Sequence, residues 1–148
     1  MYENLTGLQH KSAIVDVTDL YNLRCRHCFY FREEHESKQM DAEEFLQELE
    51  ILQKRHNIIS MGWSGGEPTV RPDVIQKGVH LFAMNQRFTN GTNPIPKLRR
   101  TITFISMDGT KDIHNDVRGK GTYEKVMDNI KTTKAKPILF LSTLHRNN

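Results

Sequence analysis

The chain has 148 residues, of which 36% are hydrophobic and 26% charged, and its formal net charge is +3. That length suffices for one domain with its own core, and that balance excludes a disordered chain. The longest strongly apolar run, residues 137–141, is far too short to span a bilayer. Residues 1–5 show no basic segment leading into an apolar one, so no secretory signal is read. The cytoplasm is therefore the expected compartment, with no membrane partner. Basic and acidic residues are mixed. The cluster Lys97, Arg99 and Arg100 reads as a solvated face, and nucleic acid is not an expected partner.

Strand-like and helix-like segments alternate along the chain. Residues 12–18 are short and β-branched and read as a first strand. The acidic stretch 33–36 reads as a solvated loop. Asp41 opens a helix, with Glu44 as capping-box partner, and Ala42, Phe45, Leu46, Leu49 and Leu52 form its apolar stripe. Residues 58–64 are a second strand, stopped by Gly65 and Gly66. Pro72 suits the first turn of a second helix, whose buried stripe is Ile75, Val79 and Phe82.

Residues 87–89 read as a short third strand, followed by the turn residues Asn90 and Gly91. Residues 101–106 are a fourth strand, ended by Asp108 and Gly109. Thr122 is placed to cap a third helix with Tyr123, Val126, Met127 and Ile130 on its inner face. Residues 137–143 are a fifth strand. Such alternation implies parallel strands joined by right-handed crossovers, in an open sheet or a barrel-like wrap. Either arrangement binds ligands at the C-terminal ends of its strands, so the segments just after each strand carry the chemistry.

After the first strand come Tyr21 and the pair Cys25 and Cys28, spaced C-x-x-C. Such thiolates can share a metal or cluster; they are also consistent with free thiols in a loop. A structural disulfide is not expected in the cytoplasm. After the second strand, Gly65 and Gly66 leave the backbone bare for close approach, and Glu67 adds a carboxylate suited to an ammonium group, although a plain turn would read the same. After the fourth strand, Ser106 and Asp108 precede His114 and Arg118. Arginine suits a bidentate grip on a carboxylate, whereas an isolated one is more often a surface ion pair, and a lone histidine is more often structural.

Taken together, these segments resemble the radical S-adenosylmethionine (radical SAM) superfamily. That family carries C-x-x-x-C-x-x-C after its first strand, Gly-Gly-Glu-Pro after its second, and in many members Ser-x-Asp-Gly followed by His and Arg-Gly after its fourth. The order and strand placement agree over nearly the whole chain, residues 1–148, read as a single core domain. The resemblance implies an α/β fold, a partial (β/α) barrel of about five parallel strands, incomplete at its C-terminal end relative to the family core. It also implies a 4Fe–4S cluster and S-adenosylmethionine as cofactors. One electron would cleave the sulfonium, and the resulting 5′-deoxyadenosyl radical would abstract a substrate hydrogen.

By the same resemblance, Cys25 and Cys28 match the second and third cluster cysteines, and His27 a residue lying against adenine. Gly65, Gly66 and Glu67 match the segment receiving the methionyl ammonium. Ser106 and Arg118 match contacts to the ribose or the methionyl carboxylate. Tyr21 stands where the family has its first cysteine, so the expected cluster is weak, partly occupied or absent. The alternatives are a non-catalytic relative or fragment that binds S-adenosylmethionine or a partner, and a zinc module using Cys25 and Cys28 with His27 or His35. A peptide or small-molecule substrate, and a flavodoxin or ferredoxin as electron donor, follow only if the chain is active.

Overall fold

A computed structural model describes residues 11–28, 39–144 and 146 of the chain. The acidic stretch 33–36, with His35, lies outside them. Five strands form one sheet: β1 (Lys11–Asp16), β2 (Ile58–Ser64), β3 (Met84–Thr89), β4 (Thr101–Ser106) and β5 (Ile138–Leu141). Their spatial order is their chain order, and every pair is parallel. Crossovers that all step the same way put their connections on one face, which is a barrel wrap and not a doubly wound sheet.

The connections are α1 (Ala42–His56), a short 3₁₀ turn (Pro68–Val70) with α2 (Pro72–Gly78), an irregular segment 90–100, and α3 (Lys111–Arg118) with α4 (Thr122–Thr132). One core cluster packs Met61 and Trp63 of β2 against Leu49, Val74, Ile75, Val79 and Phe82. A second packs Ile105 of β4 against Val126, Ile95 and Ala135. On the opposite face, alternation exposes Ile14 (71%), and Phe88 stacks on Phe104 at 5.1 Å.

Local chemistry explains where the elements begin and end. The Asp41 carboxylate accepts from the backbone N–H groups of Glu43 (2.8 Å) and Glu44 (3.3 Å), capping α1 as expected. Asn57 ends α1 in the left-handed conformation. Leu52, expected in the buried stripe of α1, is exposed instead, because only Ala42, Phe45, Leu46 and Leu49 reach the sheet. Thr122 is not the cap of α4. Gly121, at φ 81°, takes that position, and the Thr122 hydroxyl donates to the carbonyl of Gly119 at 2.7 Å. Strand β1 ends at Asp16, two residues short of the expected stop, and β5 is likewise trimmed to four residues.

Trp63 is fully buried and spans the first core. Its indole N–H donates to Asn85 Oδ1 at 3.0 Å, and its ring meets Phe82 edge-on. Gly78 leaves the room: a Cβ there would lie 2.4 Å from the indole ring. Trp63→Ala should therefore cost about 3–5 kcal/mol of unfolding free energy. Urea denaturation followed by circular dichroism reads this, and an unchanged midpoint would contradict the packing described.

Candidate functional site

The loops after β1, β2, β3 and β4 meet at the C-terminal edge of the sheet around a cleft of ≈ 370 Å³. It is lined by Tyr21, Cys25, His27, Cys28, Gly65, Gly66, Glu67, Ser106 and Arg118, together with Phe88, Asn90 and Thr143 among others. Residues from all three motif segments, Tyr21 included, thus border one space, while Asp108 and His114 of the third segment stand outside its lining.

The two glycines also serve the fold. Gly66 N–H donates to the carbonyl of Thr18 at 2.7 Å, and Glu67 N–H to that of Leu20 at 2.8 Å. A Cβ on Gly66 would stand 2.1 Å from Leu20 O, and one on Gly65, whose φ is 112°, 2.4 Å from Thr18 O. What approaches the bare backbone here is the chain's own cysteine-bearing loop.

Glu67 ties loops together as well. Its side chain is 1% exposed. One carboxylate oxygen accepts from the hydroxyls of Thr69 (2.6 Å) and Thr89 (2.7 Å) and from Thr69 N–H (3.1 Å). The other accepts from Asn90 N–H at 2.7 Å. The carboxylate is thus already engaged by four donors from Thr69, Thr89 and Asn90. The negative charge also faces Arg87, a buried guanidinium whose pKa burial pulls down to about 10 while Glu67 opposes the fall.

The cysteines sit in a tight turn in which Cys28 N–H donates to Cys25 O at 3.0 Å. That turn is docked on α3, where Arg26 N–H donates to Val117 O at 2.8 Å. A second tie joins it to the loop after β3, through Asn22 with Thr92 (3.0 Å) and Asn90 (2.8 Å). Both thiols are half-buried and free. Burial pushes the Cys25 thiol up from its ordinary pKa, while the positive charge of the Arg118 guanidinium works against the rise. Tyr21 borders the same cleft. Among the described residues, no three of His, Cys, Asp or Glu stand close enough together to hold a metal ion.

Arg118 is not a free fork. Its Nε donates to Asp108 Oδ2 at 2.6 Å, with both side chains buried. Burial pushes the Asp108 carboxyl up, but Arg118 and the N–H of Thr143 (3.0 Å) outweigh it and hold the group below its usual pKa. His114, one turn before Arg118 on α3, is fully buried. Its Nδ1 accepts from Asp108 N–H at 3.4 Å, its ring packs edge-on against Tyr123, and its Nε2 has no hydrogen-bond partner among the described residues. Asp108, read as a strand-ending residue, is the site residue that sequence reasoning missed. The signal was present: an acid and a cation framing a short helix.

Comparison with known proteins bears on family and fold. Residues 21–145 match the family described as the radical SAM superfamily. A cysteine-type anaerobic sulfatase-maturating enzyme of Clostridium novyi (strain NT) is 32% identical over 139 residues, covering 74% of this chain and 36% of that protein. The chain thus spans little more than a third of that relative's length. Native anSMEcpe with bound AdoMet and Cp18Cys peptide superposes with a TM-score of 0.70 at 24% identity, covering 90% of this chain and 43% of the other. Streptococcus suis SuiB bound to S-adenosylmethionine superposes at 0.58 and 19% identity, over 74% of this chain and 28% of the other. These structural likenesses speak for the fold, the partial barrel.

Two outcomes test the site. Gly66→Ala must push Leu20 O away and part the two loops, with a loss of about 2 kcal/mol in denaturation experiments; a wild-type midpoint would contradict the docking. Arg118→Met removes the cation that opposes the rise in Cys25, so the thiol pKa climbs further and the thiolate fraction at a given pH falls. In a Cys28→Ser background, alkylation of Cys25 by iodoacetamide at pH 8 should slow; unchanged or faster alkylation would show that the guanidinium does not act on the sulfur.

Proposed function

The chain belongs to the radical SAM superfamily, and from that premise we propose that its cleft binds S-adenosylmethionine. The convergence of three separate motif loops on one cavity is the observation that carries this reading. The volume suits a ligand of that size, and the lining mixes apolar surface with a few directed polar groups. In this reading Arg118 and Ser106 meet the carboxylate or ribose, the carbonyls of the glycine loop receive the ammonium, and His27 lies against adenine.

The residues present fit S-adenosylmethionine better than they fit the family's cluster. Two thiolates are offered, at Cys25 and Cys28, and Tyr21 brings a phenol to the third position, where iron–sulfur clusters are held by thiolate. A three-thiolate cluster therefore does not fit this chain, and no step through one is derived. The family's chemistry is reductive cleavage of the sulfonium to a carbon radical. In this chain the protein's own share is to bind the ligand, orient it and exclude water from one side of it.

The assignment is thus a binding member of a radical enzyme family, with cleavage as the second reading, favoured by the paired thiols at the cleft. Peptide is the substrate class of that second reading. Structures of anSMEcpe with bound Cp18Cys peptide and of SuiB bound to precursor peptide SuiA support it. A flavodoxin or ferredoxin donor belongs to the same reading.

Isothermal titration of the chain with S-adenosylmethionine, followed by anaerobic reconstitution with iron and sulfide, tests both. The account expects binding without a cluster in the wild type and a cluster with its visible absorption and EPR signal in Tyr21→Cys. A wild-type protein that takes up a stoichiometric cluster and cleaves S-adenosylmethionine would establish the second reading instead. Stoichiometric zinc in both proteins, with no cluster in either, would restore the zinc module.

A further inference from the structure

The geometry points to Asp108 as a positioning residue that aims the Arg118 guanidinium at the carboxylate end of the ligand; this deepens the reading of the cleft as an S-adenosylmethionine site and rests on it. Arg118 borders the cleft and Asp108 does not. Asp108 therefore acts through Arg118, not on the ligand. The arginine side chain has several rotatable bonds, and a guanidinium left to itself would sample many orientations at the cleft wall.

The fixing is done at one end only. Asp108 Oδ2 takes the Nε–H of Arg118 at 2.6 Å, and Oδ1 takes the N–H of Thr143 at 3.0 Å. Holding Nε sets the plane of the guanidinium and leaves the two terminal nitrogens as donors for the ligand. Asp108 is in turn fixed from behind, its own N–H directed at Nδ1 of His114, which stands one helical turn from Arg118 on α3. The carboxylate is fully buried, so water does not compete for either oxygen. Its contact with Thr143 adds the segment after β5 to the same clasp, so the arginine is aimed by the loop after β4, by α3 and by that segment together.

The test compares S-adenosylmethionine with its decarboxylated analogue, which lacks only the group Arg118 would read. Calorimetric titration of the full chain should show the wild type preferring S-adenosylmethionine by about tenfold or more, the scale of one charge-assisted hydrogen-bond set. Asp108→Asn keeps the shape and removes the charge. It should lose most of that preference while binding the analogue within about twofold of wild type. A variant that keeps the preference, or that weakens both ligands alike, overturns the proposal, the second result because it marks a merely structural role.

Should Asp108→Asn not fold, the wild-type Arg118 Nε–H resonance serves in its place. It should move on addition of S-adenosylmethionine and stay still with the analogue, and an equal response to both overturns the proposal. Equal affinity of the wild type for the two ligands overturns the role of Asp108 and leaves the cleft assignment standing. Binding of neither overturns the cleft assignment itself, and the role of Asp108 with it.

Discussion

The site depends on one contact between two loops. The backbone of the segment after β1 lies directly on the glycine backbone after β2, through Gly66 N–H to Thr18 O and Glu67 N–H to Leu20 O, with no room for a side chain between them. Parallel neighbours in a sheet place their C-terminal ends side by side, but they do not by themselves force the following loops together. Here the missing Cβ atoms do. They let a thiol-bearing turn sit within the cavity that the second and third loops also border.

Two buried carboxylates extend that arrangement around the rim. Glu67 reaches from the loop after β2 to Thr89 and Asn90 at the end of β3. Asp108 reaches from the loop after β4 to Arg118 on α3 and to Thr143 beyond β5. Each is surrounded by donors, which is the condition for burying such a group without a large penalty. Deleting the donors or the acid would leave a buried polar group unmet, so these residues hold the loops more firmly than exposed ion pairs do. The Arg26–Asp116 pair, open to water on both sides, is an example of the weaker kind.

Much of this was legible in the sequence, for physical reasons. Strands β2 and β4 are read with the observed bounds because β-branched and apolar residues run up to a sharp glycine or aspartate stop. That the motif loops share one edge of the sheet follows from strand–helix alternation. Strand β3 is read only in its last three residues, because Asn85 turns inward as a buried polar group and, beside Gln86, breaks the apolar signal. Helix α3 is unread for the same reason: its buried positions are His114, Val117 and Arg118, and a mostly polar stripe has no hydrophobic period. The use of Gly66 as a seat for Leu20 O, and of Glu67 as a clasp, depends on contacts between distant loops that no local pattern carries.

The central claim is that cysteine turn, glycine loop and Arg118 form one ligand site. A crystal structure of the chain grown anaerobically with S-adenosylmethionine tests it most directly. The account predicts the ligand in the cleft bordered by Cys28, Gly65 and Arg118, with its carboxylate against the guanidinium. Cys28 and Glu67 on opposite sides of the molecule, or the ligand seated away from all three segments, would contradict it.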